Sequence, residues 1–415
     1  MKKLFTVLLA LCITLQLLAQ GQSKHALFIG NSYTEVNNLP YLVSQVASSM
    51  GDTLTYQANT PGGCTFQQHC NNQSMTLIQQ GGWDIVVLQE QSQYPSFPQS
   101  QVQNEVFPYA AQLVQAVYTY CPCAEPMFYM TWGRRDGDQQ NAQFFPVLGT
   151  YQGMDSMLYE RYLYMAKTND ASLCPVGRVW RSLRTSHPDI ELYSGDGSHP
   201  SMAGSYAAAC AFYAMMFQRS PLTSSFNASL NDATASIIRS VVDSVVCQQF
   251  AFWQRPLPQA SFDTLRREGT VCSNVFDFEN NSSYADRYFW DFGDGDTSDF
   301  ESPNHAFPNP GTYTITLVAS RHCMSDTATL ILTIAEPVAI HQPSAPTFHL
   351  YPNPATTCLW LESEVSAPAQ VFDLTGRLLF SVEVVEGVNQ IDLQRLIPGR
   401  YLLRLADRSL PFVKQ

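Results

Sequence analysis

Two short stretches carry residue types able to do nucleophilic chemistry together. The first is Phe28-Ile29-Gly30-Asn31-Ser32-Tyr33-Thr34, an apolar run that ends in a glycine and a serine. The second is Asp196-Gly197-Ser198-His199-Pro200. A serine hydroxyl becomes a useful nucleophile only when a base takes its proton, and that base needs a carboxylate to hold its tautomer. Asp196 stands three residues before His199, so within one turn of loop it can reach that ring. Ser32 as nucleophile, His199 as base and Asp196 as the orienting acid predict acyl transfer through a covalent intermediate. Each motif alone is common, because strand-end serines usually act as caps and D-x-x-H arises by chance. Their occurrence at opposite ends of one segment is the signal.

An acyl transfer also needs hydrogen-bond donors for the tetrahedral oxyanion. The Ser32 N–H is one candidate. Pro61-Gly62-Gly63-Cys64 offers a glycine loop whose backbone N–H groups can come close to a ligand. Leu88-Gln89-Glu90-Gln91-Ser92 places side-chain amides after another apolar run. His25, His69 and His187 lack such company and read as surface or capping residues.

These residues need elements to position them. His25–Ile29, Thr53–Gln57, Trp83–Leu88 and Pro126–Thr131 read as short strands, the third as a continuous apolar run of the buried parallel kind. Leu39–Met50, Phe107–Tyr120, Ser201–Phe217 and Asp232–Phe250 have helical character, and Pro200 is expected to open the third of these. Strands alternating with helices predict an α/β domain with a parallel sheet, where ligands sit at the carboxyl ends of the strands. Beyond Arg255-Pro256-Leu257-Pro258 the helical period disappears. Thr312–Ala319 alternates, with Tyr313, Ile315 and Leu317 on one face, and Tyr401–Leu405 is the clearest strand of the last stretch.

Lys2, Lys3 and the apolar run Leu4–Leu18 read as a secretory signal peptide over 1–19, short for a span of about 20 residues. No other run is long enough to span a membrane, so no integral membrane segment is expected after cleavage. The net charge of −12 argues against a nucleic-acid partner. Of the eleven cysteines, Cys272 and Cys323 are a plausible disulfide pair, and no spacing indicates a zinc site. Asp291, Asp294 and Asp296 read as turn-forming acids, not as a metal site. Tyr94-Pro95-Ser96-Phe97-Pro98 is a candidate lining for a sugar or acyl pocket.

Taken together, residues 20–253 resemble the SGNH (GDSL-like) hydrolases. The resemblance rests on the Ser32 block, Gly62 and Gly63, and Asp196 with His199. It implies a flavodoxin-like parallel sheet with helices on both faces, and Ser32, Asp196 and His199 as the catalytic residues. It also implies an oxyanion hole that includes the N–H groups of Ser32 and Gly63, and no cofactor. The family's Asn-bearing third block is replaced here by Gln89-Glu90-Gln91, which resembles carbohydrate acetylesterase-type members. A glutamine amide then replaces the asparagine, with Gln89 favoured over Gln91 because it directly follows the strand. Residues 254–336 resemble a PKD domain, an immunoglobulin-like sandwich, through Phe289-Trp290-Asp291-Phe292-Gly293-Asp294-Gly295 and Pro310-Gly311-Thr312-Tyr313-Thr314. After a linker at 337–346, residues 347–415 resemble the type IX secretion sorting domain, expected as a small β-sandwich. The quoted matches are Leu350-Tyr351-Pro352-Asn353-Pro354 and Asp373-Leu374-Thr375-Gly376-Arg377. These resemblances imply a secreted or surface serine esterase acting on an acylated glycan or other small ester, with the type IX machinery as partner. A lipid or short-acyl esterase, and a non-catalytic adhesin on the same scaffold, are the competing expectations.

Overall fold

The computed structural model describes residues 21–266, 274–335 and 348–415. The expected signal peptide, the linker and Cys272 lie outside the described residues. The chain divides into two compact units, one running through Ile334 and the other spanning Ala335–Gln415.

The first unit opens with five parallel strands, β1 (Ser23–Ile29), β2 (Thr53–Asn59), β3 (Ile85–Leu88), β4 (Glu125–Tyr129) and β5 (Ser172–Cys174), in the order β2-β1-β3-β4-β5. The chain moves outward from β1 to β2, then crosses back to pair β3 on the other side of β1. That reversal makes the carboxyl end of β1 a topological switch point, where open α/β sheets bind ligands. Helices Leu39–Ser49, Met202–Phe217, Val176–Ser186 and Asp232–Val245 pack against one another as one layer. Gln73–Gln80, Phe107–Tyr120 and Tyr151–Thr168 form another. Every residue from Ala203 to Phe217 is buried. An alanine-rich helix with no polar face can sit only inside such a sandwich of layers.

The remainder of this unit holds two antiparallel sheets. One is β10-β7-β6 (Asn304–Ala306, Val275–Asn280, Phe262–Arg266). The other is β12-β11-β8-β9 (Met324–Ile334, Gly311–Arg321, Arg287–Asp291, Thr297–Ser298). Their core holds Trp290, Phe278, Phe292, Ile315 and Leu317, matching the expected inward face except that Tyr313 is only half-buried. Asp291 accepts from the Gly293 N–H and Asp294 pairs with His305 at 2.7 Å, so both carboxylates have protein partners.

The expected Cys272–Cys323 pairing is replaced by a disulfide between Cys123 and Cys323, 200 residues apart. Cys123 lies between Phe107–Tyr120 and β4, and Cys323 lies at the turn between β11 and β12. Beside the disulfide, His322 stacks on Tyr118 with ring centroids 3.6 Å apart, and Arg321 Nε stands 3.1 Å from Asp170 Oδ2. Cys123 and Asp170 precede β4 and β5, so this clasp is at the amino ends of the parallel strands.

The second unit has two antiparallel sheets, β13-β14-β17 and β16-β15-β18-β19, around Leu359, Leu361, Val371 and Leu403. Here β13 is Phe348–Tyr351, β14 Cys358–Ser363, β15 Ala367–Asp373, β16 Leu378–Val384, β17 Gly387–Asp392, β18 Gly399–Leu405 and β19 Arg408–Lys414.

Candidate active site

Ser32 is the first residue of a one-turn helix, Ser32–Glu35, that leaves the carboxyl end of β1. Its Oγ stands 2.9 Å from His199 Nε2. The other ring nitrogen, Nδ1, is 2.5 Å from Asp196 Oδ2. The structure therefore brings Ser32, His199 and Asp196 into one hydrogen-bonded line from two segments 167 residues apart. If Asp196 is ionised, Nδ1 carries the proton and Nε2 is left to accept from the serine hydroxyl.

Asp196 is held by its own loop. Its Oδ1 accepts from the Ser198 N–H at 2.9 Å, the His199 N–H at 2.9 Å and the Ser194 hydroxyl at 2.8 Å. Partial burial acts to raise the carboxyl. The hydrogen bonds from the His199 ring, Ser198, Ser194 and the His199 N–H outweigh it and hold Asp196 well below the usual carboxylate range. The helix after this loop is capped by Ser201, whose hydroxyl accepts from the Gly204 N–H at 3.2 Å. Pro200 precedes that cap, two positions before Met202, the first-turn place expected of it.

Three segments meet at Asn31. Its N–H donates to Gln89 Oε1 at 2.9 Å, and its amide donates to the Cys64 carbonyl at 3.0 Å. Its Oδ1 caps the one-turn helix through the Tyr33 N–H and accepts from Gln89 Nε2 at 2.9 Å. Gly30 is required for this approach, because a Cβ there would stand 2.6 Å from both Gln89 Oε1 and Thr34 Oγ1. Gly63 has a φ of +69° and open space around it. A glycine adopts that conformation without strain, and it leaves the loop backbone exposed beside Asn31.

Gln89 is fully buried, with one amide hydrogen directed to Asn31 Oδ1 and the other to the Glu90 carbonyl at 2.5 Å. In this structure neither is free for a ligand, which departs from the donor role expected of Gln89. Gln91 is half-buried, and its Oε1 accepts from the Gln93 N–H. Among the described residues no hydrogen bond engages its Nε2. Between them, Glu90 is fully buried and accepts from the Phe66 N–H with both carboxylate oxygens, and from the Gln91 N–H at 2.6 Å. Burial pushes its carboxyl up to about 8, against the opposing pull of those bonds.

Other residues around the site were not legible as such. His69 is fully buried, not a surface residue. Its Nε2 lies 2.9 Å from the Gly30 carbonyl and its Nδ1 2.8 Å from Ser74 Oγ, and burial lowers its ring below the usual histidine range. Trp132 sits against Tyr33, which neighbours the nucleophile. Nothing in a lone histidine or tryptophan betrays such a place; only the fold does. Pro95, Ser96 and Phe97 are buried, and the turn they form packs on the helix Tyr151–Thr168, so that segment is mainly core.

Residues 253–335 match the PKD domain, and residues 349–415 match the secretion system C-terminal sorting domain. The second match marks the chain for export by the type IX system, to the cell surface or the medium. No curated protein matches the chain in sequence. Among solved structures, a DUF4886 family protein from Bacteroides uniformis is 15% identical, covering 54% of this chain and 94% of its own, with a TM-score of 0.47. A candidate SGNH hydrolase from Slackia heliotrinireducens is 26% identical, covering 47% and 99%, with a TM-score of 0.40. The PKD1 domain of a Vibrio cholerae metalloprotease is 27% identical, covering 20% and 100%, with a TM-score of 0.17. Among the described residues no helix is long and apolar enough to cross a membrane.

Proposed function

We propose that this chain is an exported SGNH-type serine esterase that removes O-acetyl groups from carbohydrate. One observation carries the reading: Ser32 Oγ lies 2.9 Å from His199 Nε2, whose ring is 2.5 Å from Asp196, at the switch point of a parallel sheet. Ser32 attacks the ester carbonyl carbon while His199 takes the hydroxyl proton. Asp196 supports the imidazolium so formed. Collapse of the tetrahedral adduct expels the sugar oxygen, which receives that proton. Water, deprotonated by His199, then releases acetate and restores Ser32.

The oxyanion donors of this reading are the N–H of Ser32, which as a first helical residue has no intrahelical acceptor, and the N–H of Gly63. Gln89 is reassigned from donor to holder of Asn31. The third donor falls to Gln91, on the same loop, whose amide nitrogen has no hydrogen bond among the described residues. The carbohydrate substrate rests on the glutamine-bearing third block, on export, and on the appended PKD domain.

The test is acetate release from a panel of acetylated glycans and from p-nitrophenyl acetate by the exported protein, with Ser32→Ala beside it. Loss of the nucleophile should lower turnover by on the order of 10⁶-fold. Equal rates in the two proteins would remove Ser32 from the chemistry. Activity on p-nitrophenyl acetate with none on any glycan would keep the esterase and remove its proposed substrate.

A further inference from the structure

The bonds made by Asp196 lie inside its own loop, and something else must fix that loop against the serine segment. Tyr33, next to Ser32, does so from a buried position. Its ring lies edge-on to His199 with centroids 5.4 Å apart, and its hydroxyl is 2.7 Å from Ser198 Oγ. Its other side stacks on Trp132 at 4.7 Å, with the rings within 3° of parallel. Trp132 in turn stacks on Trp180 at 3.7 Å. Both indoles donate to backbone near the histidine. Trp132 Nε1 reaches the Ser198 carbonyl at 3.1 Å, and Trp180 Nε1 reaches the Gly204 carbonyl at 3.3 Å. These acceptors bracket His199 in sequence. Asn37 adds a contact from the serine side to the Pro200 carbonyl at 3.3 Å.

We infer that Tyr33, Trp132 and Trp180 form an aromatic brace that sets the distance from His199 to Ser32, with the Tyr33–Ser198 hydroxyl pair as its contact to the histidine loop. The inference rests on the esterase reading of the triad. Tyr33 and the two tryptophans are positioning residues and touch no reacting atom. Stacked rings resist both compression and slip, and they keep few rotamers, so the loop keeps one register. Proton transfer is sensitive to that register, since a misplacement near 1 Å costs about 100-fold in rate. Burial raises the Tyr33 hydroxyl above its ordinary range, against weaker pulls from Ser198, Ser92 and Arg134, so it stays a neutral hydrogen-bonding group.

The experiment uses the full exported chain and two readouts: the rate at which a fluorophosphonate labels Ser32, and kcat and KM for p-nitrophenyl acetate. The variants are Tyr33→Phe, Ser198→Ala and the double variant. Each single change keeps the ring stack and removes one side of the hydroxyl pair. Each should slow both labelling and kcat by about 3- to 10-fold. KM should stay within about twofold, because the change touches positioning and not substrate binding. The double variant should be no slower than the slower single, as for two halves of one interaction. Unchanged labelling in both folded single variants, or effects that multiply in the double, would overturn the brace alone. A folded wild type whose Ser32 takes no label would remove the nucleophile, and the brace with it.

Discussion

Glu90 offers the most direct physical test of the site's architecture. Its carboxyl is fully buried between the glycine-loop segment and Gln91, where burial raises it from 4.5 to about 8. The native protein thus binds a proton between those two values that the unfolded chain has released. Stability from this group is fully present below about pH 4.5, falls as pH rises, and is gone once pH passes about 8. Between 4.5 and about 8, at about 1.4 kcal/mol per pH unit, the total change is on the order of 5 kcal/mol. Glu90→Gln cannot titrate. Whatever the amide costs through altered hydrogen bonding to Phe66, it costs equally at every pH. Urea unfolding followed by tryptophan fluorescence at pH 5 and pH 9 should therefore show the variant gaining several kcal/mol on the wild type across that interval. Subtracting the two proteins cancels the other titrating groups, His69 among them. Ester hydrolysis should follow: above pH 8 a charged, unsolvated Glu90 weakens the packing beside the segment that carries Gly63 and Cys64, even though it holds the Phe66 N–H more tightly, so wild-type turnover declines while Glu90→Gln keeps its rate. Parallel stability curves for the two proteins would refute the burial argument.

Three further outcomes follow from the same contacts. Gly30→Ala drives a Cβ to 2.6 Å from Gln89 and Thr34, so it should destabilise by about 1–3 kcal/mol in chemical denaturation and lower kcat sharply. Asn31→Ala leaves the buried Gln89 amide short of an acceptor and the Cys64 carbonyl short of a donor, a loss of about 2 kcal/mol or more by the same measurement. Joint Cys123→Ser and Cys323→Ser replacement should lower stability by about 2–5 kcal/mol and speed proteolysis near Arg255–Pro258, with kcat on p-nitrophenyl acetate unchanged. A fall in kcat would mean that the clasp reaches the triad.

What the sequence made legible was local. The apolar runs of β1 and β3, the small-residue helix beginning at Met202 and the D-x-x-H loop each follow from neighbours within a few residues. The strand β5 leaves no readable pattern because it is only three residues long and includes a serine. Helix Val176–Ser186 buries Val176, Val179, Trp180 and Leu183 at helical spacing, a pattern present in the sequence but carried by only four positions. The residues that hold the site are less accessible still. His69 reaches the Gly30 carbonyl across 39 residues, and Cys123 pairs with Cys323 across 200. That Gln89 follows an apolar run is visible in the sequence, but the fate of its amide depends on Asn31, 58 residues away. Composition can suggest that an amide is present. Only packing decides whether it faces a ligand or a neighbour.

The parallel sheet separates two tasks by its polarity. The nucleophile and the proposed oxyanion donors follow the carboxyl ends of strands, Ser32 after β1, Gly63 after β2 and Gln91 after β3, while the Asp196–His199 loop reaches them from between two helices. The clasp to the PKD domain uses the opposite ends, through Cys123 before β4 and Asp170 before β5. A disulfide, an ion pair and a ring stack at one end of the strands can therefore fix the PKD domain without touching the Asn31 hub at the other. The brace then becomes a route by which core packing meets the histidine, beside the Asn37 contact to Pro200 and the Arg135 N–H to the Gly197 carbonyl. Trp132 and Trp180 lie beyond β4 and β5, so strain imposed at the amino ends of those strands would have to travel along the strands to reach Ser198. Unchanged turnover in the disulfide variant, beside slowed turnover in Tyr33→Phe, is the pair of results that this division of the sheet requires.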